Sequence, residues 1–316
     1  MKDLTSFTLS LVRKLEEEGR YGTAHVYGSA LRAFQKYWQE RRPGKAMLMK
    51  AAFTFSTLRE FEQHLRERML RSNTVSTYMR MLRALYNRAL RAGLVKYIPG
   101  LFSDVYTGTC ADAKRALLPV QMGKVLAAPE QEIEELEMAR VWFVLLFLLR
   151  GMPFADLARL RKCDLQNGEI TYRRQKTGRM IRVKVTPEAE ALIKRCADRH
   201  KGSPYLLDIL WDEGRNFRMG GVEEYKRYQA VLRSFNLRLK LLGCILGIPS
   251  KLSSYTARHT WATTAFHTNC SVGIISNALG HSSVKVTETY LKPFEEEKLD
   301  KVNRKIIAYV KRSVES

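Results

Sequence analysis

Only two short stretches of this 316-residue chain alternate apolar and polar residues: Glu169-Ile-Thr-Tyr-Arg-Arg174 and Met180-Ile-Arg-Val-Lys-Val185, with Lys176-Thr177-Gly178 between them. Period-two alternation on both sides of a glycine-bearing turn predicts one β-hairpin. Elsewhere the apolar residues recur at helical spacing. The chain is therefore expected to be mainly α with a small antiparallel β-sheet.

Stop signals divide the helical part. Segment 7–18 ends at Gly19, and Thr23 can cap a second helix whose Tyr27, Leu31, Phe34 and Trp38 share one stripe until Pro43-Gly44. Ser56 can cap a third, with Leu58, Phe61, Leu65 and Met69. Asn73 or Thr74 opens a fourth, with Val75, Tyr78, Leu82, Tyr86 and Leu90, until Gly93. Such stripes build a core. Opposite the fourth stripe lie Ser76, Thr77, Arg80, Arg83 and Arg91, a face turned either to water or to a polyanion. Pro99-Gly100 and the polar stretch 103–114 predict a linker, which divides the chain into a helical domain, 1–102, and a second domain, 115–316. In the second, helices are expected near 130–149, from Pro153, and at 187–198, 222–246, 257–268, 271–279 and 283–291, with a charged amphipathic helix near 294–311.

Charge narrows the function. Residues 1–108 hold 19 Lys/Arg against 9 Asp/Glu, and the remainder 35 against 23, within a net charge of +22. Two basic lobes suit a polyanion, and nucleic acid is the first candidate. The longest apolar run, Val141–Leu149, has nine residues and is too short to span a bilayer. The start, Met1-Lys2-Asp3, opens no secretory h-region. Five cysteines stand far apart with no CxxC pair, which argues against a zinc finger or disulfide frame. A cytoplasmic, nucleoid-associated protein is expected.

Four features of the second half carry chemistry. Thr256-Ala-Arg258-His259-Thr-Trp-Ala-Thr263 opens a helix with polar groups, and Ala278-Leu-Gly-His281 ends one at glycine with a histidine just beyond. Tyr290 follows nine residues later, and Lys176 stands at the hairpin tip. Each is ordinary alone: a surface arginine, a packed tyrosine, a solvated lysine. In this order the chain resembles the tyrosine recombinase (phage integrase) family over nearly its whole length.

The resemblance implies a helical core-binding domain of the SAM-like kind followed by a catalytic domain. It implies a site-specific recombinase that cleaves double-stranded DNA, keeps the strand as a 3′-phosphotyrosyl ester on Tyr290, and rejoins it without a cofactor or metal. Breaking a phosphodiester takes a nucleophile, a charge clamp on the non-bridging oxygens and a proton for the leaving 5′ oxygen. By resemblance Tyr290 is the nucleophile, Arg258 the bidentate clamp, His281 a donor to the same phosphate and Lys176 the general acid. The implied assembly is a homotetramer on two paired sites, with the final helix docking on the neighbouring subunit. The α-helical face with Ser76, Thr77, Arg80, Arg83 and Arg91 then faces DNA.

Two positions depart from the family pattern. Where His-x-x-Arg is usual, this chain has Tyr255, which can donate to phosphate but moves protons less readily at neutral pH. Where the first catalytic arginine is usual, three before the acid Asp156, stands Pro153; Arg150, in Arg150-Gly-Met-Pro153, is the substitute expected, as in a bacterial subgroup with an Arg-Gly-Met box. Proline favours a first turn, so the helix is expected to begin at Pro153, with Arg150 in the turn before it. Asp156 then braces the site, and His259 is a buried buttress. Two rivals share these residues: a nicking-closing enzyme of the type IB topoisomerase kind, and a recombinase-derived DNA-binding protein without catalysis. A chain opening directly into core-binding helices points to invertases and resolvers rather than arm-dependent integration.

Overall fold

The computed structural model describes residues 3–110, 116–211, 219–289, 291, 300 and 303–307. The chain runs α1 (Leu4–Glu17), α2 (Tyr21–Arg41), α3 (Met49–Ala52), α4 (Phe55–Glu67), α5 (Ser72–Arg91), α6 (Pro119–Leu126), α7 (Glu134–Leu148) and α8 (Phe154–Leu157). It continues through β1 (Leu165–Gln166), β2 (Glu169–Arg173), β3 (Met180–Lys184), α9 (Pro187–Arg195), α10 (Val222–Ile245), α11 (Thr256–His267), α12 (Val272–Leu279) and α13 (Val284–Glu288). Two compact units result: residues 1–112 with 218–225, and residues 113–217 with 226–316.

In the first unit Phe34 lies edge-on to Phe61 with ring centroids 4.8 Å apart, and Tyr37 and Trp38 close the cluster at 5.7 and 6.1 Å. The expected stripes on α2, α4 and α5 enter this core except at their ends: Met69, past the end of α4 at φ 56°, is 89% exposed, and Leu90 lies outside the cluster. Helix starts differ from expectation where side chains compete to cap. Asp3 caps α1 by accepting the Ser6 N–H at 2.8 Å, so the helix begins before residue 7. Thr54, not Ser56, caps α4, because its extended backbone aims the hydroxyl at the Thr57 N–H, 3.2 Å away.

The sequence puts Ser76 on the exposed face of α5, but the structure buries it, and its hydroxyl donates to the Gly108 carbonyl. A buried hydroxyl needs an acceptor, and the chain beyond Val105, itself buried in this core, folds back across the start of α5 to supply one. Asn73 holds the same segment through a reciprocal pair with the Cys110 backbone, 3.0 Å each way.

The second unit is built around α7. Val141, Phe143, Val144, Leu145 and Leu146 are all buried, and α9 and α11 pack against the helix. The sheet has the order β1-β2-β3, antiparallel throughout, with Ile170 opposite Val183 and Tyr172 opposite Ile181. These four side chains point inward. Strand β1 is two residues long, too short to alternate visibly in the sequence. After α7 the chain reverses through two successive left-handed residues, Arg150 (φ 58°) and Gly151 (φ 67°). Pro153 caps α8 rather than entering its first turn: its ψ of 147° is extended.

Candidate active site

Leu279-Gly280-His281 forms a helix terminus. Gly280 lies at φ 64°, ψ 37°, and the His281 N–H reaches back to the Ser276 carbonyl at 3.0 Å. A Cβ at position 280 would stand 2.9 Å from Ile181 Cδ1 and 3.2 Å from Arg174 Cγ, so glycine serves both the turn and the close approach of the hairpin. The carbonyls at this end of α12 are the negative pole of the helix and lack partners within it. Arginines collect there: Arg258 Nη2 donates to the Leu279 carbonyl at 2.6 Å and Arg174 Nη1 at 2.5 Å.

Arg258, on the first turn of α11, is buried. Its Nη1 donates to the Gly151 carbonyl at 2.7 Å, and its Nη2 also lies 2.9 Å from His281 Nε2. Gly151 permits this, since a Cβ there would stand 3.2 Å from Arg258 Cα. His281 is buried too, with Nδ1 2.8 Å from Thr287 Oγ1. Burial, and then the charges of Arg258, Arg174, Lys176 and Arg179, push its pKa down to about 4, so the imidazole is neutral at pH 7.

Asp156, on α8, is the buried acid of the site. Burial raises its pKa, opposed by the Gln175 N–H at 3.0 Å and by Arg174. Arg174 Nε is 2.9 Å from Asp156 Oδ2 but out of hydrogen-bond alignment, so charge holds that pair. Asp156 thus braces the hairpin, as expected of it.

The structure brings Arg258 and His281 together, and the hairpin carrying Lys176 is bound to the same end of α12 through Thr177, whose Oγ1 donates to the Gly280 carbonyl at 3.2 Å. Lys176 itself is exposed. Tyr255 caps α11 and is 48% exposed, its ring 6.4 Å from that of His259, which is half-buried rather than the fully buried buttress expected. Arg150 is exposed and its Nη1 donates to the Arg182 carbonyl at 3.3 Å, beside a shallow depression shared with Met180, Ile274, Asn277 and Ala278. Tyr290 lies outside the described residues, as does most of the expected final helix; Leu291 is buried with Ala262, Ile275 and Leu279. On α5, Arg83 and Arg91 are exposed, Arg80 is half-buried, and Thr77 donates to the Asn73 carbonyl at 2.7 Å. Sequence reasoning missed Thr287 and gave Arg174 no place beside Asp156.

A phage integrase SAM-like domain matches residues 3–100, and a phage integrase family domain matches residues 115–297. The chain belongs to the phage integrase family. A tyrosine recombinase XerC from Roseiflexus sp. (strain RS-1) is 25% identical over 238 residues, 73% of this chain and 71% of that protein. A tyrosine recombinase from Pseudothermotoga lettingae is 33% identical over 195 residues, 60% of this chain and 59% of that protein. Solved integrase structures share the fold. The Tn1549 transposon integrase, in complex with a circular intermediate DNA, superposes with a TM-score of 0.64 at 16% identity, covering 96% of this chain and 100% of that one. The lambda integrase dimer bound to a COC′ core site gives 0.63 at 15% identity, covering 91% and 95%. As a member of the phage integrase family the chain is a site-specific DNA recombinase of the tyrosine type.

Proposed function

We propose that Tyr290 attacks the scissile phosphate of a double-stranded recombination site, its phenolic proton passing to solvent, and forms a 3′-phosphotyrosyl bond as the P–O5′ bond breaks. Lys176 gives its ammonium proton to the departing 5′ oxygen. Arg258 grips the non-bridging oxygens, His281 donates to them, Tyr255 adds a phenolic hydrogen bond, and Arg150 supplies the second guanidinium in place of the arginine missing at 153. Because the ester stores the bond energy, a 5′-hydroxyl from the partner strand reverses the step without ATP. The helical domain, 1–102, and the catalytic domain, 115–316, joined by 103–114, both contact the duplex, the first through Thr77, Arg80, Arg83 and Arg91 on α5. Four subunits pair two sites, and the charged final helix, near 294–311, docks on a neighbouring copy.

The observation that carries this reading is the buried Arg258–His281 pair beside the bound Lys176 hairpin. A suicide substrate nicked near the crossover point tests it. The protein is expected to accumulate a covalent DNA adduct, and Tyr290→Phe to bind the site without forming one. An absent adduct overturns strand transfer in favour of a binding-only protein, and an adduct formed by Tyr290→Phe removes Tyr290 as nucleophile.

A further inference from the structure

The tip of the β2–β3 hairpin is tied down on both sides of Lys176. Three consecutive carbonyls at the end of α12 accept from three of its side chains in turn: Leu279 from Arg174 Nη1 at 2.5 Å, Gly280 from Thr177 Oγ1 at 3.2 Å, and His281 from Arg179 Nη1. The turn is closed internally, with the Arg174 N–H on the Arg179 carbonyl at 2.8 Å and the Gly178 N–H on the Arg174 carbonyl at 2.9 Å. From the other side Asp156 accepts the Gln175 N–H and faces the Arg174 guanidinium. Arg174 is buried, while Thr177, Arg179 and Lys176 are exposed. The Leu279 carbonyl that holds Arg174 also holds Arg258. One acceptor therefore links the hairpin to the phosphate clamp.

We infer that Arg174, Thr177 and Arg179 are positioning residues that set where Lys176 stands relative to Arg258 and His281 before any phosphate arrives. This rests on the proposed role of Lys176 as proton donor. Arg174 Nη1, Thr177 Oγ1 and Arg179 Nη1 are turned to the carbonyls at the end of α12. What they supply is placement. A hairpin tip is otherwise a mobile place for a proton donor, and a misplacement of about 1 Å in a reacting group costs about a hundredfold in rate. Arg174 contributes most, because it is buried and pairs with Asp156 as well as Leu279. Thr177 and Arg179 act from the surface, where removal leaves no buried charge behind.

The role separates from plain structural support by the leaving group. A 5′-bridging phosphorothiolate releases sulfur, which departs without a proton, so a defect confined to proton delivery disappears on that substrate. Full-length Thr177→Val, Arg179→Ala and Arg174→Met are compared in single-turnover cleavage of oxygen- and sulfur-bridged suicide substrates, with Lys176→Ala alongside. Site affinity is expected within about threefold of the parent. Cleavage of the oxygen substrate is expected to fall about tenfold for the two surface variants and about a hundredfold for Arg174→Met, with the sulfur substrate cleaved at near the parental rate. Equal losses on both substrates, or parental rates for both surface variants on oxygen, overturn the inference. Rescue of Lys176→Ala without rescue of the three overturns the inference alone. Failure to rescue Lys176→Ala overturns the proton-donor role and the inference with it. Should Arg174→Met not fold, Thr177→Val and Arg179→Ala decide.

Discussion

Arg258 Nη2 lies 2.9 Å from His281 Nε2, and this pair fixes the proton on the imidazole. A guanidinium only donates, so Nε2 accepts; the neutral ring then carries its proton on Nδ1 and gives it to Thr287 Oγ1 at 2.8 Å. In this resting arrangement Nε2 has no proton to offer a phosphate. A phosphate that takes the Arg258 N–H releases Nε2. The Thr287 hydroxyl, which donates as readily as it accepts, then supports the opposite tautomer. On the proposed mechanism, binding of the phosphate and arming of His281 are expected to be one event.

Thr287→Val keeps the volume and removes both hydrogen-bonding roles. Site binding is expected to persist while single-turnover cleavage falls about tenfold, less than the roughly hundredfold or more that a proton-transferring group itself contributes, because His281 remains in place. Thr287→Ser restores the hydroxyl and is expected to recover most of the rate. Equal rates for Val and Ser would remove the hydroxyl from the mechanism.

His281 also marks a pH window for stability. Its pKa in the fold, about 4, lies below the ordinary 6.5, so between those values the unfolded chain binds a proton that the folded chain refuses. Stability therefore rises with pH across this window and is lost as pH falls through it. The drop in Tm from pH 7 to pH 4.5 is expected to be smaller for His281→Gln than for the parent. Equal drops would show that the imidazole is not held neutral.

Gly280 and Gly19 separate backbone strain from contact. Both have positive φ, 64° and 71°, but a Cβ at 19 meets nothing within 4 Å, whereas one at 280 meets Ile181 Cδ1 at 2.9 Å. Gly19→Ala is expected to cost about 1 kcal/mol for its left-handed backbone alone. Gly280→Ala carries that cost plus the clash, about 2–4 kcal/mol in all. Urea unfolding of the two variants measures the difference.

What the sequence made legible was periodicity and punctuation. The hairpin and the apolar stripes of α2, α4 and α5 declared themselves because their side chains repeat with the backbone. Arg258 and His281 were found because a recognisable order of residues surrounds them. Arg174 was hidden, although the signal was present: it continues the inward phase of Ile170 and Tyr172, and an arginine in an apolar phase calls for a buried acid, here Asp156. Thr287 gave no such sign, since a hydroxyl on a short helix has many local partners and only the turn after His281, six residues earlier, brings this one to the ring. Ser76 was misplaced for the reverse reason. The helical wheel shows which face lies away from the core, but not which segment later covers it.

The remaining face of α5 gives a clean contrast. Arg83→Ala with Arg91→Ala removes two exposed cations that are expected to lie on the phosphate backbone. Affinity for the cognate site is expected to fall, and the slope of log K against log salt to flatten by about 2. Ser76→Ala breaks a buried hydrogen bond instead, costing about 1–2 kcal/mol of stability with the salt slope unchanged. An unchanged slope for the double variant would move the DNA-facing surface elsewhere.

Arg150 is the second guanidinium of the proposed clamp. At φ 58°, with its Nη1 on the Arg182 carbonyl at 3.3 Å, it is exposed beside the site rather than committed to it. That contact is weak enough to exchange for a phosphate oxygen. Arg150→Ala is expected to bind DNA nearly normally and to lose cleavage about a hundredfold to a thousandfold, the usual effect of deleting a charged donor from a developing phosphorane. Arg150→Lys is expected to recover little, because a point charge does not reproduce the guanidinium fork. Adding Pro153→Arg to Arg150→Ala is expected to restore part of the rate by returning a guanidinium to the usual family spacing. Cleavage by Arg150→Ala at the parental rate would end the substitution idea. Another arginine, Arg174 or Arg179 on the hairpin, would then have to complete the clamp, each through a guanidinium nitrogen other than the Nη1 it gives to the end of α12.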